Sequence, residues 1–132
     1  MATVFTRIIE GDLPGTFVHR DERCAVFMSI NPLATGHCLI VPTREVDHWV
    51  DLKIDESQHL FTVAHQIAQA QRAAFPCDKV GMIIAGYEVP HAHIHLIPTT
   101  HMGQLDFANA AASVSREELE EAAEAIRNQI AS

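Results

Sequence analysis

The stretch that decides the fold is HAHIHLIP, residues 91–98, in which imidazole and apolar side chains alternate. Successive side chains of a strand point to opposite faces, so the alternation predicts a strand over Ala92 to Pro98. Its histidines, His91, His93 and His95, should share one face. The apolar residues between them should enter the core on the other face. We therefore expect a histidine-bearing surface backed by a hydrophobic core.

Outside this stretch, the sequence divides into short strand-like runs and helical patterns. We predict a short helix ending before Gly11, strands near residues 16–20, 24–28 and 37–41, a main helix from Asp55 to near Pro76, a buried strand over 80–85, and a C-terminal helix over about 115–130. Because strands and helices are segregated, we expect an α+β fold with a mostly antiparallel sheet. The 132 residues suffice for one core, so we predict a single domain over residues 1–132, with its core at about 3–102.

Composition narrows the classes of partner. The formal net charge of −8 opposes binding to long nucleic acids, whose affinity rests on Lys and Arg, but it permits a mononucleotide held in a local site. No run approaches the roughly 20 apolar residues of a membrane span, and no basic leader precedes an apolar stretch. We predict a cytoplasmic protein with no membrane partner.

The three cysteines, and four of the histidines outside residues 91–98, form no motif. The three cysteines are widely spaced and predict neither a disulfide framework nor a paired-thiolate metal site. We assign no role to His19, His48, His59 and His65, because they belong to no recognisable constellation of residues.

Two chemistries could use the row of histidines. A metal could bind two neighbouring imidazoles, but the outer pair stands roughly 13 Å apart along a strand, so a third ligand such as His37 would be needed. Alternatively, an imidazole nitrogen attacks phosphorus while its neighbours donate hydrogen bonds to the oxygens. The middle residue, His93, is the natural nucleophile because it has a partner on each side.

At this point the sequence resembles a known family. His-φ-His-φ-His-φ-φ, with φ apolar, is the signature of the histidine triad (HIT) family, and residues 91–97 match it with Ala92 as the weakest φ. Residues 27–42, FMSINPLATGHCLIVP, resemble the family's nucleotide-pocket segment, and Gly36-His37 within it supplies a fourth histidine. The N-terminal RIIEGDLPGTFVHRDE is also similar, so the resemblance extends to about residue 102.

The resemblance implies a homodimer that binds purine nucleotides and hydrolyses or transfers a nucleoside monophosphate through a nucleotidyl-histidine. It assigns the nucleophile to His93, a phosphate ligand to His95, and orienting roles to His91 and His37. The nucleotide-binding residues that it implies are Phe27, Ser29, Ile30, Leu39, Glu88 and Val89, of which Phe27, Ile30 and Leu39 would line the base pocket.

This chain also departs from the family pattern. Ser29 stands where many members have an acidic residue for the ribose hydroxyls, and Tyr87-Glu88 replace Gln followed by Ser or Thr in the turn before the triad. A carboxylate at Glu88 would repel a phosphate unless it points away or is paired. The Asn usually found on the preceding strand is missing. Thr3 and Thr6 replace the Cys-x-x-Cys with which some members bind zinc, so we predict no metal and no cofactor.

The sequence therefore predicts a hydrolase or transferase, of the phosphoramidase type, that acts at the α-phosphate of a purine nucleoside phosphate derivative through nucleotidyl-His93. Two alternatives stay open. One is a nucleotide- or partner-binding module with little turnover, which the departures favour. The other is a metal-dependent hydrolase that uses two triad histidines with His37.

Overall fold

The computed structural model describes residues 2–130, which form one antiparallel sheet with helices on both faces. In chain order the elements are α1 (Val4–Ile9), β1 (Phe17–Arg20), β2 (Cys24–Met28), β3 (Cys38–Pro42), α2 (Ile54–Ala74), β4 (Lys79–Ile83), β5 (Ile94–Thr99) and α3 (Arg116–Gln129). Short 3₁₀ turns cover Trp49–Asp51, Met102–Leu105 and Phe107–Asn109. The predicted α+β class and antiparallel sheet are confirmed.

The five strands lie in the order β1-β2-β3-β5-β4, and every neighbouring pair is antiparallel. β3 is central, so both of its faces are covered and all of its residues are buried. Its pairing with β5 sets Leu39 opposite His95. This register places the pocket segment beside the last histidine of the triad.

The two faces of the sheet carry separate clusters of buried residues. On one face, α2 packs against β3 and β5, and α3 packs against β1 and β2. On the other face, the short helix α1 contributes Phe5 to a smaller cluster with Phe27 and Leu39. Because α1 is only six residues long, part of this second face stays open. The histidines lie on that side.

Capping explains where the helices begin. Ser115 Oγ accepts a hydrogen bond from Glu118 N–H at 3.1 Å, as its capping-box pattern predicts. The main helix begins at Ile54, one residue before the predicted Asp55, because Glu56 Oε1 accepts from Lys53 N–H at 2.8 Å. Within residues 2–130, no helix combines the length and apolar content needed to cross a bilayer.

Two sequence predictions are wrong. The strand predicted as buried over residues 80–85 is β4, which begins at Lys79 and is half-exposed throughout, because it lies at the edge of the sheet. The strand predicted from Ala92 begins only at Ile94, so His91 and His93 precede β5. The predicted division of faces holds for Ile94 and Leu96, which belong to the buried cluster under α2, and for His93 and His95, which line the cavity on the other face.

Candidate functional site

The histidine row continues beyond the strand because a loop contact holds the chain ahead of β5. Ala92 N–H donates to the Val46 carbonyl at 2.7 Å, which fixes residues 91–93 against the connection between β3 and α2. His95 follows within β5, and its ring centroid lies 4.8 Å from that of His93. The structure thus brings the second and third triad histidines into direct contact.

The protonation of His93 is fixed by the backbone. Its Nδ1 lies 2.7 Å from the His91 carbonyl, which can only accept, so Nδ1 carries the proton. The Nε2 atom is therefore left with its lone pair. Phe5 packs edge-on against the ring, with centroids 4.9 Å apart, and limits its rotation. The arrangement leaves the Nε2 lone pair in a fixed orientation, which is what nucleophilic attack by an imidazole requires.

A second chain of hydrogen bonds fixes His95. Leu33 N–H donates to His37 Nδ1 at 3.0 Å, so the proton of neutral His37 sits on Nε2. That Nε2–H donates to His95 Nδ1 at 3.0 Å. Neutral His95 then carries its own proton on Nε2. Its Nε2–H can donate a hydrogen bond to a phosphate oxygen beside His93.

The first triad histidine, His91, is buried and makes hydrogen bonds through both ring nitrogens. His91 is fully buried, and its Nε2–H donates to the Pro42 carbonyl at 2.7 Å. Its Nδ1 then accepts from Thr3 Oγ1–H at 2.7 Å, while Thr3 N–H donates to Glu45 Oε1 at 2.7 Å. These hydrogen bonds fix the orientation of the His91 ring. Thr3, one of the two positions where this chain lacks the zinc-binding cysteines, supplies the hydroxyl that contacts it.

Burial keeps the four imidazoles uncharged near neutral pH. It lowers the pKa of His37 to about 4. Burial, together with the neighbouring His37 and His93, lowers the pKa of His95 to about 3. The pKa values of His91 and His93 are also lowered, chiefly by burial, although the Glu88 carboxylate acts in the opposite direction on His93. Neutral rings are the form that attacks through one nitrogen and donates through the other.

An open cavity of about 550 Å³ lies in front of these rings. It is large enough for a nucleotide-sized ligand. Its walls include three of the four predicted catalytic residues and all six predicted binding residues: His37, His93, His95, Phe27, Ser29, Ile30, Leu39, Glu88 and Val89. His91 is the predicted residue that the cavity does not reach.

The predicted binding residues differ in depth. Phe27 and Leu39 are buried in the floor, as expected for residues under a base. Ile30 is 69% exposed, so it belongs to the rim rather than to the floor. The Ser29 Oγ accepts from Asn31 N–H at 3.3 Å, and its own proton is available to a ligand. Tyr87 is 98% exposed and does not line the cavity.

Part of the cavity wall was not predicted from the sequence. Phe107 stands edge-on to His95, with ring centroids 4.9 Å apart, and Arg116 brings a positive charge to the cavity. Both lie beyond residue 102, where the resemblance ended, so no motif marked them. Thr3, Phe5 and Glu45 were missed for a different reason, because their contacts join positions far apart in sequence.

The metal alternative loses its third ligand in this geometry. His37 Nδ1 accepts from Leu33, and His37 Nε2 donates to His95, so neither nitrogen offers a free lone pair. A metal bound by two triad histidines would therefore need a third ligand from another residue.

A sheet face bearing a row of imidazoles, closed by an apolar floor, defines the class of small α+β proteins built around a histidine triad. The model of the HIT domain family matches residues 10–102. The chain therefore belongs to the HIT family.

Similar proteins include characterised members. The chain is 30% identical over 109 residues to the purine nucleoside phosphoramidase of Escherichia coli, covering 78% of this chain and 92% of that protein. It is 33% identical over 85 residues to the asymmetrical bis(5'-nucleosyl)-tetraphosphatase of Schizosaccharomyces pombe, covering 61% and 47% respectively. The crystal structure of a HIT-like protein from Bartonella henselae superposes with a TM-score of 0.84 at 25% identity, covering 96% of this chain and 95% of that one.

Proposed function

We propose that this protein hydrolyses the α-phosphate linkage of a purine nucleoside phosphate derivative, with phosphoramidates as the favoured class, through a nucleotidyl-His93 intermediate. The observation that carries the proposal is the hydrogen bond from His93 Nδ1–H to the His91 carbonyl at 2.7 Å, which leaves Nε2 free at the cavity. Relatives named as a phosphoramidase and as a dinucleoside tetraphosphatase support this class of substrate.

The first step forms a phosphorus–nitrogen bond to His93. Its Nε2 lone pair attacks the α-phosphorus, and the bond from phosphorus to the leaving nitrogen breaks with its electron pair on the leaving group. The departing amine takes its proton from solvent water, while His95 Nε2–H donates a hydrogen bond to a phosphate oxygen. Positive charge develops on the His93 ring, and the His91 carbonyl stabilises it by accepting the Nδ1–H.

The second step regenerates the free enzyme. Water attacks the phosphorus and releases the nucleoside monophosphate, while the electron pair of the phosphorus–nitrogen bond returns to His93 Nε2. The proton lost by the attacking water returns to solvent and balances the proton taken up by the departing amine. Phe27 and Leu39 would hold the base in the meantime, since their buried apolar surfaces form the cavity floor.

A second candidate is a nucleotide-binding module with little turnover. Glu88 favours it, because a carboxylate in the cavity wall disfavours the approach of a phosphate. A homodimer, a cytoplasmic location and the identity of the purine stay predictions.

The test is intact-protein mass spectrometry after brief mixing with adenosine phosphoramidate, quenched without acid, alongside quantification of released AMP. We expect the wild type to release AMP or to gain one nucleoside monophosphate, and His93→Ala to do neither. His65→Ala, at an exposed position on α2, is the control and should behave as wild type. If wild type and His93→Ala both bind AMP and neither reacts, the chain is a binding module for this substrate class.

A further inference from the structure

A second cluster of reactive side chains lies at the turn between β1 and β2, away from the residues that line the cavity. The cluster contains His19 of β1, Asp21 of the turn and Cys24 at the start of β2. One ligand atom from each of these three side chains lies within 4.8 Å of the other two. His59 reaches the same point from α2, with its Nε2 2.9 Å from Asp21 Oδ2. No sequence pattern connects His59 with Asp21, which lies 38 positions away.

All three neighbours converge on one carboxylate oxygen. His19 Nε2 lies 2.8 Å from Asp21 Oδ2, and Cys24 Sγ lies 3.7 Å from it. The other oxygen, Oδ1, accepts from Arg23 N–H at 2.7 Å and from Cys24 N–H at 2.9 Å. The backbone of the turn therefore fixes the carboxylate and leaves Oδ2 for the side chains.

We propose that His19, Asp21, Cys24 and His59 form a zinc site that ties the β1–β2 hairpin to α2. In a tetrahedral zinc site, nitrogen and oxygen ligands stand about 3.3 Å apart, and a sulfur stands about 3.6 Å from an oxygen. The separations of 2.8 and 2.9 Å for nitrogen and 3.7 Å for sulfur are within about half an ångström of these values. His19, Asp21 and Cys24 already have ligand atoms within 4.8 Å of one another, and His59 would complete the set by moving towards them from its contact with Asp21.

Charge and access favour a divalent cation of this kind. Zn²⁺ with one carboxylate, one thiolate and two neutral imidazoles makes a site with no net charge, and this donor set is one that zinc prefers. The nearest cation, Arg23, is paired with Asp55 at 3.2 Å. The side chains of His19, Asp21 and His59 are each about a quarter exposed, at 26%, 28% and 25%, so an ion can enter from solvent.

Cys24 is the residue that distinguishes this cluster from an ordinary His–Asp–His hydrogen-bond network. It is fully buried within the core under α2 and α3, yet its sulfur faces the Asp21 carboxylate. As the zinc–sulfur bond forms, the thiol proton leaves to solvent, and the metal charge stabilises the thiolate despite its burial. The triad lies on the opposite face of the sheet, so the role of this metal is structural.

Cobalt is the probe, because a thiolate bound to Co²⁺ gives a charge-transfer band in the near ultraviolet. Metal-free protein titrated with Co²⁺ should bind one ion per chain with this band, and Zn²⁺ should displace it. Cys24→Ser should abolish the band, whereas Cys77→Ser, which alters a cysteine outside the cluster, should keep it. No binding at millimolar Co²⁺, or a band that survives Cys24→Ser, overturns the proposal.

Surface variants keep the test decisive if the buried Cys24→Ser chain does not fold. His59→Ala should weaken Co²⁺ binding at least tenfold, and Zn²⁺ should raise the Tm of wild type but not of this variant. His65→Ala lies on the same helix, outside the cluster, and should bind as wild type does. Equal affinity in His59→Ala and wild type removes α2 from the site and refutes the tie between hairpin and helix.

Discussion

Acidification from pH 7 to pH 5 should destabilise the folded chain through His37 and His95. Their pKa values in the folded chain, about 4 and about 3, lie below the ordinary histidine value of 6.5. Below pH 6.5 the unfolded chain binds protons that the folded chain does not. The free energy of unfolding therefore decreases as the pH is lowered from about 6.5 towards the folded-state pKa values.

The size of the effect follows from the shifts. One pKa unit corresponds to 1.36 kcal/mol, so His37 should account for a loss of about 2 kcal/mol at pH 5. His95 is only partly buried, and solvent screening reduces its share to about 1–2 kcal/mol. Carboxyl groups titrate mainly below pH 5, so this window isolates the histidines. These two losses sum to about 3–4 kcal/mol, a large part of a typical folding free energy of about 5–15 kcal/mol. The lowered pKa values of His91 and His93 act in the same direction.

Urea unfolding followed by circular dichroism at pH 7 and pH 5 measures this loss. His37→Asn removes one titration while its side-chain oxygen can still accept from Leu33 N–H, so its loss should be smaller than that of wild type by about 2 kcal/mol. His65→Asn, at an exposed position, is the matched control and should lose as much as wild type. If His37→Asn and wild type lose the same free energy, burial of neutral His37 is not the cause.

Three further predictions concern the frame of the site. Thr3→Val removes the hydroxyl that donates to His91 and should cost about 1–2 kcal/mol of stability. It should also lower kcat more than it raises KM, whereas Thr3→Ser should retain the stability and the kcat of wild type. Equal kcat in Thr3→Val and wild type would remove the positioning role. Gly36→Ala should destabilise the fold by at least about 2 kcal/mol, because its φ is +92° and a Cβ would overlap an aromatic ring. Gly86→Ala, with φ +87° and no such neighbour, should cost about 1 kcal/mol in the same denaturation assay. Equal costs for the two variants would contradict the overlap. Glu88→Gln should tighten AMP binding about three- to tenfold by calorimetry at low salt, since it removes about 1 kcal/mol of repulsion, and weaker binding would show that the carboxylate contacts the ligand.

The features that the sequence predicted are those with a strong period. Alternation at residues 91–97 placed Ala92, Ile94 and Leu96 in the core, and the helical spacing placed α2 and α3 within two residues of their bounds. A strand's place in the sheet has no such signal. The run over 80–85 is as apolar as a central strand, yet it lies at the edge, because strand order depends on pairing between distant segments.

The candidate site divides in the same way. The cavity residues within the two motifs were predicted because each motif is local in sequence. Phe107 and Arg116 were not predicted, since the turns after β5 bring them back over His95 without any pattern of their own. The cluster around Asp21 was missed because His59 approaches it from another element.

The chemistry of the triad depends on backbone groups that residue types do not reveal. Each ring has its proton placed by a main-chain atom: the His91 carbonyl for His93, the Leu33 N–H for His37, and through His37 for His95. The spacing of two residues allows the His91 carbonyl to reach His93 Nδ1, whereas His95 Nδ1 is contacted by His37 instead. The motif therefore aligns the side chains, and the backbone decides which nitrogen of His93 keeps its lone pair. In the proposed reaction, the same side chains on a displaced backbone would no longer hold His93 Nε2 unprotonated at the cavity.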